Sequence, residues 1–329
     1  MSTSTSAPTE QAPTESAPTE HRTVHSTAVA APAEAVYAIV ADAARWPQYF
    51  SPNIHVEHLE QGPGSERIRI WATANGEVQS WVSRRELDPG ALRVTFRQEV
   101  SQPPVAAMGG EWTVRPTGDG HCLLELHHDF RAVDDDPAAV EWINAALDRN
   151  SAAELAGIRE LAELGDRLDE LVFSFEDTVH VAGSGADVLA FLDRADLWPE
   201  RLPHVARLDL REEVPGLQLM SMDTRAADGS VHTTESVRVV LGPDRIVYKQ
   251  TVVPALMSAH TGSWTVTPAG DGVDVTSRHT VTVRPEAVER VLGEGRTVAD
   301  ARAYIHRALS TNSGTTLRHA RNFAEALRG

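Results

Sequence analysis

Apolar and polar residues alternate along most of the chain, and four stretches break that alternation with helical spacing. His21–Val29 alternates as a strand. Residues 30–44 place Val36, Ile39 and Val40 at helical intervals, and Trp46-Pro47 is expected to stop that helix. Strands are predicted at about 54–60, 66–73, 77–87 and 92–100, followed by a hairpin over 111–131. A long helix comes next, capped by Asp134-Asp-Asp-Pro137 and carrying an apolar stripe through Trp142, Ile143, Leu147, Leu155 and Ile158. The order then repeats. A strand over Asp177–Val181 precedes a helix with Val188, Phe191 and Leu192, and Trp198-Pro199 follows. Strands are predicted at about 205–213, 217–225, 230–241 and 245–253, a hairpin over 262–283, and a last helix through Tyr304, Ile305, Leu309, Leu317 and Phe323.

The repeat is also literal. Gly110-Glu-Trp-Thr-Val-Arg-Pro-Thr-Gly-Asp-Gly120 returns as Gly262-Ser-Trp-Thr-Val-Thr-Pro-Ala-Gly-Asp-Gly272, at an offset of 264 − 112 = 152. So long a period means a duplicated domain, because solenoid repeats run about 20–50 residues. Residues 21–168 and 169–329 are the two expected domains, and Ala-Pro-Thr-Glu written three times within residues 1–20 predicts a disordered tail. Each domain reads as α+β: a curved antiparallel sheet with one apolar face, wrapped around the long C-terminal helix that covers it, with a cavity between them. Gly183-Ser-Gly185 looks like half a dinucleotide fingerprint, but its first-copy equivalent is Ala31-Pro32-Ala33, so it is a turn entering a helix.

Composition narrows the function classes. A net charge of −17 over 329 residues excludes a phosphate-backbone binder, so no nucleic-acid partner is expected. No apolar run approaches the roughly 20 residues of a membrane span, and no secretory signal opens the chain. With Cys122 the only cysteine, a reducing cytoplasmic location is expected. The 14 histidines include no His-Glu-x-x-His, so no metal or other cofactor is expected, and no Gly-x-Ser-x-Gly elbow marks a hydrolase. Lys249 is the only lysine.

The element order, together with Ala44-Arg-Trp-Pro-Gln-Tyr-Phe50, Asn75-Gly-Glu-Val-Gln-Ser-Trp-Val-Ser-Arg-Arg85 and Gly110-Glu-Trp-Thr113, resembles the helix-grip (START/Bet v 1-like) fold. More narrowly it resembles the di-domain aromatase/cyclases of bacterial type II polyketide synthases, over residues 21–329. The resemblance implies a substrate tethered to an acyl carrier protein, a reduced poly-β-ketone. It implies C7–C12 aldol closure of the first ring, dehydration and aromatisation, alongside other synthase subunits. The alternative is a non-catalytic START-like protein that holds a hydrophobic or polyketide ligand.

The resemblance also points to a Ser-x-Arg step on a middle strand, here Ser83-Arg84-Arg85 and Ser236-Val237-Arg238. Arg85 and Arg238 are then cations that stabilise an enolate, or else arginines paired at the sheet surface. Arg238 aligns with Arg85 from one turn anchor and with Arg84 from another. His128 and His279 fall on the apolar face of the hairpin strand once one extra residue, His121, is allowed in the first copy. Each is a candidate general acid or base, or a core histidine satisfied by a neighbour. Trp46, Phe50, Asn53, Trp71, Trp81, Trp198, Ser83 and Ser236 are the expected substrate-binding positions, although the tryptophans also suit ordinary core filling. Arg67, Arg69, Arg84, Arg93 and Arg97 are candidates for a basic rim that receives the acidic carrier, or else scattered solvated arginines.

Overall fold

The computed structural model describes residues 19–74, 77–225 and 229–328. The expected disordered tail lies outside the described residues up to residue 18, and so does the Asn75-Gly76 turn. Thr19 is placed, its backbone N–H donating to the Asp135 carboxylate at 3.1 Å.

The first domain runs β1 (His21–Val29), α1 (Ala33–Ala41), α2 (Trp46–Tyr49), β2 (Asn53–Gly62), β3 (Ser65–Ala74), β4 (Glu77–Asp88), β5 (Arg93–Gln98), β6 (Val105–Gly118), β7 (His121–Ala132) and α3 (Pro137–Leu164). After α4 (Arg167–Leu171) the order repeats as β8 (Val172–Val181), α5 (Gly185–Asp193), α6 (Trp198–Arg201), β9 (Val205–Val214), β10 (Leu217–Arg225), β11 (Val231–Leu241), β12 (Arg245–Val252), β13 (Met257–Ala269) and β14 (Gly272–Val283). It closes with α7 (Val288–Leu292) and α8 (Val298–Ala326). Each antiparallel sheet has seven strands, ordered β1-β7-β6-β5-β4-β3-β2 and β8-β14-β13-β12-β11-β10-β9. The long helices α3 and α8 lie over the β1–β7 and β8–β14 pairs.

Local chemistry explains the boundaries. α3 starts at Pro137, with the Asp136 carboxylate accepting from Ala138 N–H at 3.1 Å. α8 starts with a reciprocal capping box between Thr297 and Asp300. Trp46-Pro47 does not end α1, which stops at Ala41; it opens the separate turn α2, because proline in the first turn lacks only an N–H that would be unpaired anyway. β8 begins at Val172, five residues before the expected Asp177, since Phe173 and Phe175 continue its inward alternation.

The first copy does carry one extra residue, but it is Thr117 on β6, not His121, which is paired. Pro116 pairs with Cys122 and Gly118 with His121 across a register shift, whereas Pro268 and Ala269 pair with Val273 and Gly272 without one. Past that irregularity His128 and His279 stand opposite Gly110 and Gly262, so they are equivalent.

The domains meet through outer sheet faces. Ile54 and Trp71 from β2 and β3 pack with Val237, Val239 and Val247 from β11 and β12. Beside this patch Lys249, 4% exposed, sends its Nζ to the carbonyls of Phe50, Ser51 and Asn53 at 2.8, 2.9 and 2.7 Å. Gln48 of α2 reaches across to Thr261 and to the Thr280 carbonyl, and Arg245 pairs with Glu57. Burial draws the Lys249 ammonium down to about 7, while three carbonyl acceptors call for all three of its protons. Lys249→Met would remove all three of these bonds from the buried junction and is expected to cost about 3 kcal/mol. Urea unfolding should register the loss.

Candidate functional site

The middle of each sheet buries an arginine against the first helix. Arg85 on β4 and Arg238 on β11 are each 1% exposed. Arg85 stands opposite Glu66 of β3, and Arg238 opposite Gln218 of β10. The offset from Glu66 to Gln218 is 218 − 66 = 152, so Arg238 occupies the place of Arg85; the alternative alignment with Arg84 is wrong. Arg85 donates to the carbonyls of Val40 and Ala41 at 2.6 and 3.2 Å, and to Glu66. Arg238 donates to the Leu192 carbonyl at 2.6 Å. Those carbonyls lie at the C-terminal ends of α1 and α5, where unpaired acceptors and the helix dipole both favour a cation. The guanidinium also sits over an indole, 4.7 Å from the Trp46 ring in one domain and 5.1 Å from Trp198 in the other. Trp46 and Trp198 are held for this by N–H bonds of 3.3 Å to the Ile39 and Phe191 carbonyls.

The two arginines differ in their surroundings. Burial lowers the Arg85 pKa and the Glu66 carboxylate opposes it; His58 completes that cluster at 2.9 Å from Glu66. Arg85 is therefore neither an unpaired pocket cation nor a surface pair, but half of a buried pair that ties β3 and β4 to α1. Arg238 faces a neutral amide instead. Gln218 donates to Asp193 Oδ1 and Glu212 Oε2 at 2.9 and 2.8 Å, leaving Arg238 Nη1 buried with no partner among the described residues. Burial draws Arg238 down to about 10, with Asp193 the main opposing charge.

Both histidines face inward. In the first domain His128 meets the edge of Phe96 at 5.6 Å, and its Nδ1 has no partner among the described residues. Thr23 Oγ1, His25 Nδ1 and Ser151 Oγ are likewise buried and unpartnered. Thr23 pairs directly with His128 in register, and His25 is bonded to Asp148 of α3 at 2.8 Å, one helical turn from Ser151. Four polar atoms on these facing elements are thus left without a hydrogen-bond partner among the described residues. A cleft of about 590 Å³, lined by His21, Val140, Asn144 and Asp148 among others, opens between β1 and α3.

In the second domain His279, 3% exposed, lies 3.1 Å from the Tyr248 hydroxyl and 3.0 Å from His260 Nε2. Burial draws both His128 and His279 down to about 4, so both are neutral near pH 7.

One inward group was not among the expected residues. Glu154 of α3 lies one turn from buried Ser151 and Ile158, on the face that covers the sheet. Burial raises its pKa to about 7. A carboxylate inside an apolar stripe was the available sequence signal. Its second-domain counterpart, Thr316, instead bonds its own helix at the Asn312 carbonyl.

The expected substrate-binding positions divide. Trp81, Ser83 and Ser236 face the concave sides, with Trp81 half-buried against Ala43, Ile68 and Ile70. Phe50 is core between α2 and α3, and Cβ at Gly157 would lie 3.6 Å from its ring. Trp71 does not line the hollow. Ile70 and Ala72 on either side of it face inward, so strand alternation turns Trp71 into the domain junction, its ring tilted against His55 at 5.5 Å. Asn53 also belongs to the junction through its carbonyl bond to Lys249. The basic rim is mostly neutralised: Arg67 and Arg84 pair with Glu99, Arg93 with Glu111 and Arg97 with Asp129, while Arg69 lies 5.8 Å over Trp71.

Two outcomes are expected. Glu66→Gln would give the first domain the amide that the second already carries, removing a buried countercharge at a cost of about 3 kcal/mol; replacing Arg85 and Glu66 together by apolar residues should cost far less, and calorimetry would separate the two. The histidines make the fold acid-sensitive. Their folded pKa of about 4 lies below the usual 6.5, so the unfolded chain binds more protons in between. Their contribution, on the order of 3 kcal/mol for His279 and less for half-buried His128, is complete above pH ~6.5 and falls away as pH drops towards 4. Melting temperature against pH, with and without His279→Asn, measures it.

The polyketide cyclase / dehydrase and lipid transport family matches the chain twice, over residues 20–163 and 172–315. The granaticin polyketide synthase bifunctional cyclase/dehydratase of Streptomyces violaceoruber is 50% identical over 306 residues, 93% of this chain and 94% of the relative. Its actinorhodin counterpart from Streptomyces coelicolor is 51% identical over 311 residues, 91% of this chain and 96% of the relative. Among solved structures, the di-domain ARO/CYC BexL from the BE-7585A biosynthetic pathway superposes with a TM-score of 0.85 at 52% identity, covering 93% of this chain and 99% of that one. The di-domain ARO/CYC StfQ from the steffimycin pathway gives 0.83 at 40% identity, over 93% and 99%. With its duplicated sheet-and-helix units matched twice by the family and end to end by these di-domain relatives, the chain belongs to the polyketide cyclase/dehydrase family.

Proposed function

We propose that this protein is an aromatase/cyclase of a type II polyketide synthase. Its substrate is a reduced poly-β-ketone tethered to an acyl carrier protein, and it closes the first ring between C7 and C12 before dehydration and aromatisation. One observation carries this reading: both hollows place a buried guanidinium and a neutral imidazole at equivalent stations, in a chain about half identical to bifunctional cyclase/dehydratases.

Aldol closure needs a base for a proton between two carbonyls, an acid for the ketone that becomes an alkoxide, and a dry cavity that holds the two carbons together. In the first domain Glu154, with a pKa of about 7, divides between both protonation states at neutral pH and can act in either sense. His128 is neutral there and offers an unpartnered ring nitrogen. Phe96 and Trp81 supply flat walls for an extended chain. Arg85, held by Glu66 and α1, fixes the wall and does not touch the reacting atoms. In the second domain Arg238 Nη1, without a partner among the described residues, would receive an enolate oxygen, with Tyr248 between it and His279.

The carrier protein would deliver its substrate at the mouth between β1 and α3, by shape and the pantetheine arm more than by charge, since four of the five candidate rim arginines are paired. A purely binding role has one observation in its favour, the neutralised Arg85 in a hollow walled mainly by apolar side chains.

Glu154→Gln and His128→Ala in a reconstituted synthase separate the two readings. Loss of either proton carrier is expected to slow first-ring closure by about 100-fold with binding retained. Folded variants that both keep the wild-type product profile would leave the first hollow a binding site.

A further inference from the structure

The two sheets carry different chemistry at the same stations. Register and offset place Tyr248 where the first domain has Phe96, both lying across a glycine of the next strand. His260 likewise replaces Met108 (260 − 108 = 152), and Ser277 replaces Leu126, since they pair with the equivalent Trp264 and Trp112. The replacements form one connected chain. Tyr248 Oη and His260 Nε2 both contact His279 Nδ1, at 3.1 and 3.0 Å. His279 Nε2 lies 3.2 Å from Ser277 Oγ, and His260 Nδ1 lies 2.9 Å from Gln250 Oε1. His279 is clamped between rings, 5.3 Å from His260 and 4.9 Å from Phe175.

Packing does not require this network. The first domain fills the same stations with phenylalanine, methionine and leucine, and an apolar core is usually at least as stable as a buried polar one. The network also ends at a half-buried phenol on the concave face, within the electrostatic reach of Arg238.

We propose that Tyr248 is a catalytic proton carrier of the second hollow, backed by His279 and positioned through His260, and that the dehydration step takes place there. The proposal rests on the aromatase/cyclase reading. The substrate of the step is the cyclic β-hydroxy ketone left by aldol closure, its carbonyl oxygen on Arg238 Nη1. The Tyr248 oxygen takes the proton from the carbon between carbonyl and hydroxyl while its own proton passes to His279. The C–H electron pair forms the enolate, then returns to make the C=C bond as the C–O bond breaks. The proton comes back from His279 through Tyr248 to the departing hydroxide. One water leaves, and Tyr248 and His279 end as they began. His260, its Nε2–H turned to the same His279 nitrogen, fixes the ring.

The first domain supplies the test variants, since it folds with phenylalanine and methionine at these stations. The full-length chain carrying Tyr248→Phe, in a reconstituted synthase, is expected to close the ring at the wild-type rate. It should accumulate the hydroxylated ring, one water heavier, with dehydration slowed about 100-fold or more. His260→Met should lower kcat for dehydration with KM unchanged, and His260→Gln should recover part of the loss. Dehydration at the wild-type rate in Tyr248→Phe overturns the proposal, as does equal loss of ring closure and dehydration. If the wild-type protein itself closes no ring, the aromatase/cyclase reading fails instead, and the two failures are told apart by that control.

Discussion

A buried guanidinium bonded to the last carbonyls of a short helix, under an indole, is the contact on which each domain is built. It joins three things that sequence order keeps apart: the middle strand, the first helix and the Trp-Pro turn. A cation in that position answers the unpaired acceptors of the helix end, and the indole lets it be dehydrated without losing all its electrostatic partners. The concave face then has a fixed ceiling at one end. The long C-terminal helix covers only the β1–β7 or β8–β14 side, and the hollow lies between these two supports. Duplication preserved the contact down to the backbone atoms that accept from it, Val40 in one copy and Leu192 in the other.

Around this shared frame the copies have diverged in polarity. The first neutralises its arginine with Glu66 and places a carboxyl of raised pKa, Glu154, on the helix. The second replaces Glu66 with Gln218, leaves its arginine without a carboxylate partner among the described residues, and threads phenol, imidazoles and a hydroxyl through the sheet.

Most of the architecture was legible in the sequence because strand and helix periods are strong and the duplication allowed each element to be read twice. That one extra residue precedes His128 could be inferred from alternation alone, as a slip would have turned Leu124, Leu126 and Phe130 outward, but its place at Thr117 depends on strand pairing. Alternation should also have excluded Trp71, which sits between two inward-facing residues of its strand. The attraction of a large aromatic ring outweighed the simpler signal. What no local pattern could give was pairing across distance. That Glu66 faces Arg85 depends on strand register, and that Trp71, Asn53 and Lys249 meet depends on how two domains dock. Glu154 was visible as a charge inside an apolar stripe, but amphipathic helices tolerate such interruptions too often for the position to stand out.

Lys249, hidden at the domain junction with its three carbonyl acceptors, is the only lysine of the chain. The surface is therefore decorated with guanidinium groups but carries no side-chain primary amine. Reagents and enzymes that acylate or cross-link lysine find none of their usual targets on the folded molecule, and modification of that one amine would report the opening of the joint between its halves.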